Sequence, residues 1–188
     1  MKADLRRSLR RLRPQSFSQP LRRRDRAELP FVRDAALIGP PLLLDTTVYI
    51  DVLDGTASGE VDRLLETRVI QHCAIAVAEL CHNFGRLSPD HPGSAAILSV
   101  LEETVEMIPA HRLQAPSEGV LLEAGILAGL LCRLGSLPKG QESAALNDAA
   151  IYLHALERGY VVLTRNLRDF DLISQIVPAG RVLFYDRV

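Results

Sequence analysis

The sequence predicts an α/β domain built on a mostly parallel sheet, and two observations carry that reading. Short apolar runs such as Leu42-Leu43-Leu44 are continuous rather than alternating, the pattern of a strand buried on both faces. These runs alternate with segments of helical periodicity, the order that gives a parallel sheet. A chain of 188 residues, 47% hydrophobic and 24% charged, can bury the core that such a fold requires. No apolar run reaches the roughly 20 residues that span a bilayer. The nearest, Gly119 to Cys132, is interrupted by Glu123, so no membrane contact is expected. Three cysteines, an odd number, point to a reducing compartment, and a cytoplasmic location is expected. Cys73 and Cys81 each adjoin a histidine, but their spacing fits no usual zinc pattern.

Charge divides the chain. Residues 1–33 carry a net +8 and the remainder −9, for the total of −1. Residues 1–40 therefore read as a basic N-terminal arm, punctuated by prolines, with one short basic helix over Leu5 to Arg13. A basic arm on an acidic body is a pattern for binding nucleic acid or an acidic partner. An organelle-targeting peptide and an extension without a role are the other readings of the same residues. Residues 41–188 read as the folded domain. Its expected elements are a strand at Leu42 to Leu44, a helix near Glu60 to Val69 and a strand over Gln71 to Ile75. A helix follows with Val77, Leu80, Cys81 and Phe84 on one stripe, then a helix over Ala95 to Glu103 and a strand over Val105 to Ile108. Gly119 to Leu134 is a helix apolar nearly all round, which implies burial in a core or a subunit contact. Leu137 to Ser143 is a loop, and Asn147 to Arg158 a helix. Tyr160 to Leu163 is a strand, Asp169 to Ile176 a helix and Val182 to Tyr185 the last strand.

Ligands of open α/β sheets sit at the carboxyl ends of the strands, which selects the acids to consider. Asp45 follows the first strand directly, with hydroxyls at Thr46 and Thr47; capping the next helix is its plainer role. Glu79 lies opposite the apolar stripe of its helix, where a solvated glutamate is the ordinary reading. Asp148 begins a row with Ile151, Tyr152 and Ala155, which puts a carboxylate in a first helical turn facing the sheet. Such a group needs a compensating partner, from the helix terminus or from a cation. After the fourth strand, Thr164, Arg165, Asn166, Arg168 and Asp169 crowd one turn. The two arginines suit phosphate contacts or pairing with nearby acids. Four acids converging on one sheet edge would repel each other and a phosphate, an arrangement that makes sense around divalent cations. Oxygen-only ligands favour Mg²⁺ or Mn²⁺, and the implied reaction is metal-dependent phosphodiester hydrolysis.

These residues resemble the PIN-domain nucleases, in particular the VapC-like toxins of bacterial toxin–antitoxin pairs. The matching pieces are LLLDTTVYID (Leu42 to Asp51), AIAVAEL (Ala74 to Leu80), the block from Leu146 to Phe170, and RVLFYD (Arg181 to Asp186). The resemblance implies a three-layer α/β/α sandwich, a metal-dependent endoribonuclease, a homodimer and a cognate antitoxin. It implies that Asp45, Glu79 and Asp148 are catalytic metal ligands. For the fourth acid it points to Asp169, with Asn166 standing where many members carry an acid. Thr47 and Thr164 match supporting positions. The arm lies outside the family pattern.

Two rivals remain. An aspartyl-nucleophile phosphatase would carry an acid where Thr47 stands. A non-catalytic PIN-like module that binds RNA or protein would keep binding RNA after metal removal, and metal dependence separates it from a nuclease.

Overall fold

The computed structural model describes residues 4–134 and 140–188. Its strands are β1 (Leu42–Leu44), β2 (Ile70–Cys73), β3 (Leu113–Gln114), β4 (Val161–Thr164) and β5 (Val182–Phe184). They form one sheet of order β3-β2-β1-β4-β5, parallel throughout. Leu44 sits opposite His72 on one side and Leu163 on the other, so β1 is central. The three leucines of β1 are all buried, as a strand covered on both faces requires. From β1 the chain steps outward through β2 and β3, then crosses back to β4. Right-handed crossovers then put the helices in two layers. On one side lie α2 (Thr46–Leu53), α3 (Gly59–Thr67), α4 (Ala74–Arg86) and α5 (Ser94–Glu106). On the other lie α6 (Glu118–Arg133), α7 (Glu142–Arg158) and α8 (Leu167–Ile176). Within the layers α4 touches α2 and α5, and α6 touches α7 and α8; α4 also touches α7, where Glu79 meets Asn147. The expected three-layer α/β/α architecture is the one observed.

Several local expectations are corrected. Val105 and Glu106 finish α5 rather than forming a strand, and the third strand is only Leu113–Gln114. The apolar run there is the end of a helix, which Pro109 keeps from continuing. On α4, Val77 and Leu80 are buried, but Cys81 and Phe84 are exposed. Ala76 takes their place in the core: a small residue lets the helix pack closely, which turns its buried face toward Glu79. The helix expected from Asn147 begins at Glu142. Leu137 to Lys139 of the expected loop lie outside the described residues, while Glu142 and Ser143 are helical.

The arm is seated on the body. Helix α1 (Leu5–Leu12) starts at Asp4, whose side chain accepts from the Arg7 N–H, and lies along α6 with Ser8 and Leu12 buried. It stops at Arg13, in the left-handed region at φ 43°, just before Pro14. Arg11 Nη1 meets Glu123 at 2.8 Å, the acid that interrupts the apolar run of α6. Arg133 donates to the carbonyls of Pro14 and Phe17. Further on, the Arg24 N–H and its Nε hold the buried Asp171 at 2.9 and 2.6 Å. Phe31 then bridges in parallel to Phe184 of β5, and Leu29, Phe31 and Val32 join the core.

Candidate active site

Because β1 and β4 are neighbours whose connections leave in opposite directions, a crevice opens beyond their carboxyl ends. Asp45 leaves β1 there, with its N–H donating to the Leu163 carbonyl at 3.1 Å. It occupies the N-cap position of α2, but its side chain makes no capping bond. Instead Oδ2 accepts from the hydroxyls of Thr47 at 2.6 Å and Thr164 at 2.7 Å. Those hydroxyls are themselves fixed. Thr47 Oγ1 accepts from the Arg165 N–H at 3.2 Å, and Thr164 Oγ1 from the Asn166 N–H at 2.9 Å. Two threonines thus aim a carboxylate that is only 2% exposed. Burial pushes its pKa up, and the two hydroxyls oppose part of that shift.

Glu79 is half-buried at the edge of α4, not solvated. One carboxylate oxygen accepts from the Thr46 hydroxyl, and the other from Asn147 Nδ2 at 2.7 Å. Asp148 lies in the second turn of α7, because that helix begins six residues before it. The helix terminus is therefore not its compensating partner, contrary to the sequence expectation of a first-turn carboxylate. Its hydrogen-bond donor is Asn166 Nδ2 at 3.1 Å, and the same amide reaches Asp169 Oδ2 at 3.1 Å. Asn166 also caps α8, accepting from the Asp169 N–H through Oδ1. One amide therefore bridges two acids and starts a helix.

The other three acids are felt at Asp148. Burial, then the charges of Asp45, Asp169 and Glu79, hold its carboxyl well above the usual carboxylate range. The acids nevertheless stand apart: among the described residues, no three of His, Cys, Asp or Glu form a ready-made metal site. Arg168 brings one cationic side chain to these acids. Asp169 Oδ1 is buried without a hydrogen bond, with Arg168 Nε 3.6 Å away. Arg165 points its guanidinium elsewhere, to the wholly buried Asp51 at 2.6 Å. Asp51 Oδ2 also accepts from Tyr185 at 2.8 Å, and Arg187 Nε lies 3.3 Å from Oδ1. Arg165 thus serves the crevice through its backbone N–H on Thr47. Carboxylate oxygens are the donor chemistry of Mg²⁺ or Mn²⁺.

Sequence reasoning did not single out Asn147, Thr46 and Asp51 for these roles. Each adjoins or shares a quoted motif, but nothing in its spacing marks a partner. Of the residues it did single out, Asp45, Glu79, Asp148, Asp169, Thr47, Thr164 and Asn166 line the crevice. The guanidinium of Arg165 does not.

The fold is PIN-like. No family model matches the chain, and no curated protein matches it in sequence. Solved structures do match in fold. DNA-bound VapBC from Salmonella typhimurium aligns at TM-score 0.53 and 23% identity, covering 77% of this chain and 97% of that one. VapBC2 from Rickettsia felis, bound to a promoter DNA fragment, aligns at TM-score 0.53 and 17% identity, covering 78% and 99%. FitAcB from Neisseria gonorrhoeae aligns at TM-score 0.54 and 20% identity, covering 77% and 96%. The fold therefore agrees with the one that the sequence resemblance implied. These neighbours are spanned almost whole, so about a quarter of this chain has no counterpart in them.

Proposed function

We propose that the protein is a metal-dependent endoribonuclease and the toxin of a toxin–antitoxin pair. One observation carries the reading. Carboxylates from four separate segments face one crevice at the carboxyl end of a parallel sheet, and burial together with the charges of the other three raises Asp148. A protein keeps such a costly cluster where a cation relieves it.

Asp45, Glu79, Asp148 and Asp169 would hold Mg²⁺ or Mn²⁺ through oxygen. When bound, the ion would polarise a phosphodiester and lower the pKa of its water. The remaining work falls to the chain. Thr47 and Thr164 keep Asp45 in one rotamer, and Thr46 and Asn147 do the same for Glu79. Asn166 keeps Asp148 and Asp169 from drifting apart. Such supporting bonds commonly carry 10- to 100-fold in metal affinity or activity. A cognate antitoxin belongs to the same reading, supported by the VapBC and FitAcB complexes that the fold matches; a homodimer belongs to it through the sequence resemblance. A cytoplasmic location belongs to it too; among the described residues, no helix is long and apolar enough to cross a membrane.

The test is cleavage of labelled single-stranded RNA by purified protein with Mn²⁺ or Mg²⁺. Cutting is expected with metal, and none with EDTA or with Asp148→Asn. Absence of cutting by folded protein in both metals would replace the nuclease with a PIN-like RNA- or protein-binding module.

A further inference from the structure

The arm holds eleven basic residues, and the structure divides its arginines by task. Arg11, Arg24 and Arg26 anchor it, on Glu123, Asp171 and Asp186. Arg33 lies over the Phe31 ring, beside Asp34. Arg6, Arg10, Arg13, Arg22 and Arg23 are exposed, and none makes a side-chain hydrogen bond or ion pair among the described residues. Arg7 is also exposed, but it lines a groove of about 1080 Å³ with Glu118, Glu123 and Glu157. Acidic charge therefore gathers on the Arg7 and Arg11 flank of α1, whereas Arg6 and Arg10 lie on the opposite flank, at 100° per residue.

We infer that these five arginines form a fixed track for the phosphates of single-stranded RNA, leading toward the acid crevice. The choice of RNA rests on the nuclease reading above. The course of the arm supplies the direction. Helix α1 runs with α6, which starts where Ser117 bonds Glu157 at the end of α7 remote from Asp148 and runs back toward the start of α7. The chain then passes α8, where Gln175 donates to the Arg22 carbonyl. Gln175 is six residues beyond Asp169, about 9 Å along the helix at 1.5 Å per residue. The rest of the body is −9, which repels phosphate, so a polyanion needs cations fixed near the crevice. A membrane surface fits less well. The apolar stripe of α1 leans on α6, with Leu12 buried and only Leu5 and Leu9 half exposed. Docking in advance also lowers the entropy lost on binding compared with a loose tail.

The experiment is fluorescence anisotropy of a labelled single-stranded RNA in EDTA, across a potassium chloride series. The full chain is compared with a variant carrying Gln at 6, 10, 13, 22 and 23, and with Arg7→Gln. All substituted side chains are exposed, so melting temperatures should match. The five-site variant should weaken binding about tenfold or more and flatten the log–log salt slope by about 0.7 per lost phosphate contact. Arg7→Gln should bind as the full chain does. Unchanged affinity and slope in the five-site variant would overturn the inference. So would arm-dependent binding to phosphatidylserine vesicles without arm-dependent binding to RNA. Because cleavage is silent in EDTA, the two readings fail separately. Arm-dependent binding without metal-dependent cutting removes only the nuclease; cutting with arm-independent binding removes only the track.

Discussion

Asp148 shows how one buried side chain can cost stability. Its carboxyl is pushed up by burial and by three neighbouring acids. A carboxylate whose folded pKa is raised stabilises the fold fully only below its ordinary value. That contribution is lost as pH rises through the raised folded value. At neutral pH without metal, Asp148 therefore opposes folding. Asp148→Asn removes the charge and keeps a group that can accept from Asn166. In EDTA at pH 7 it should gain on the order of 1 kcal/mol, about 2–4 °C in melting temperature for a domain of this size. The gain should shrink as pH falls toward 4. Added Mn²⁺ should raise the melting temperature of the unsubstituted protein and do less for the variant. Thermal melts at pH 4.5 and 7, with and without Mn²⁺, decide it; a variant less stable at pH 7 in EDTA would refute the argument. Asp45, Asp148 and Asp169 were legible as candidates because each follows a strand or faces the sheet. Asn147, and the partner of the Thr46 hydroxyl, were not, because an amide and a hydroxyl acquire meaning only from the acid across the crevice.

At the scale of elements, the turn between α8 and β5 is set by a close approach. A Cβ at Gly180 would stand 2.4 Å from the buried ring of Tyr152, whose hydroxyl donates to the Val177 carbonyl at 2.6 Å. The ring is rigid and enclosed, so it has no easy way to yield. Gly180→Ala should cost about 1–3 kcal/mol in urea unfolding. Gly129→Ala, on the open side of α6 with nothing within 4 Å, should be neutral or gain up to about 1 kcal/mol. Equal effects at the two sites would show that the Tyr152 contact is not what holds the turn. Most helices and strands were legible from periodicity. The strand expected at Val105 to Ile108 was not real, because a short apolar run looks alike at the end of a helix and in an edge strand. The start of α7 was missed because Glu142 to Leu146 carries no cap and little apolar pattern.

For the whole molecule, the arm decides stability as well as charge. Leu12, Leu29, Phe31 and Val32 are all buried against the body. Each such side chain is worth about 1.5–3 kcal/mol, set against a typical total stability of about 5–15 kcal/mol. Removing residues 1–34 would also leave Asp171, 1% exposed, without its arginine. The truncated chain should show no cooperative transition in calorimetry. A transition within a few degrees of the full chain would instead make the arm dispensable for folding.

The sequence by itself determined the alternation of strands and helices, the parallel sheet, the acids at strand ends and the division of charge. All of these follow from neighbours within one or two turns of chain, where side-chain periodicity and burial are written locally. Only the tertiary structure decided which groups meet. Thr164 reaches Asp45 across 119 positions, and Arg24 reaches Asp171 across 147. It turned Arg165 toward Asp51, put Asp148 beyond the reach of its helix terminus and laid a basic arm along α6. Such pairings are selected by desolvation: once the core closes, a buried charge or hydroxyl must take whatever partner the packing brings within reach.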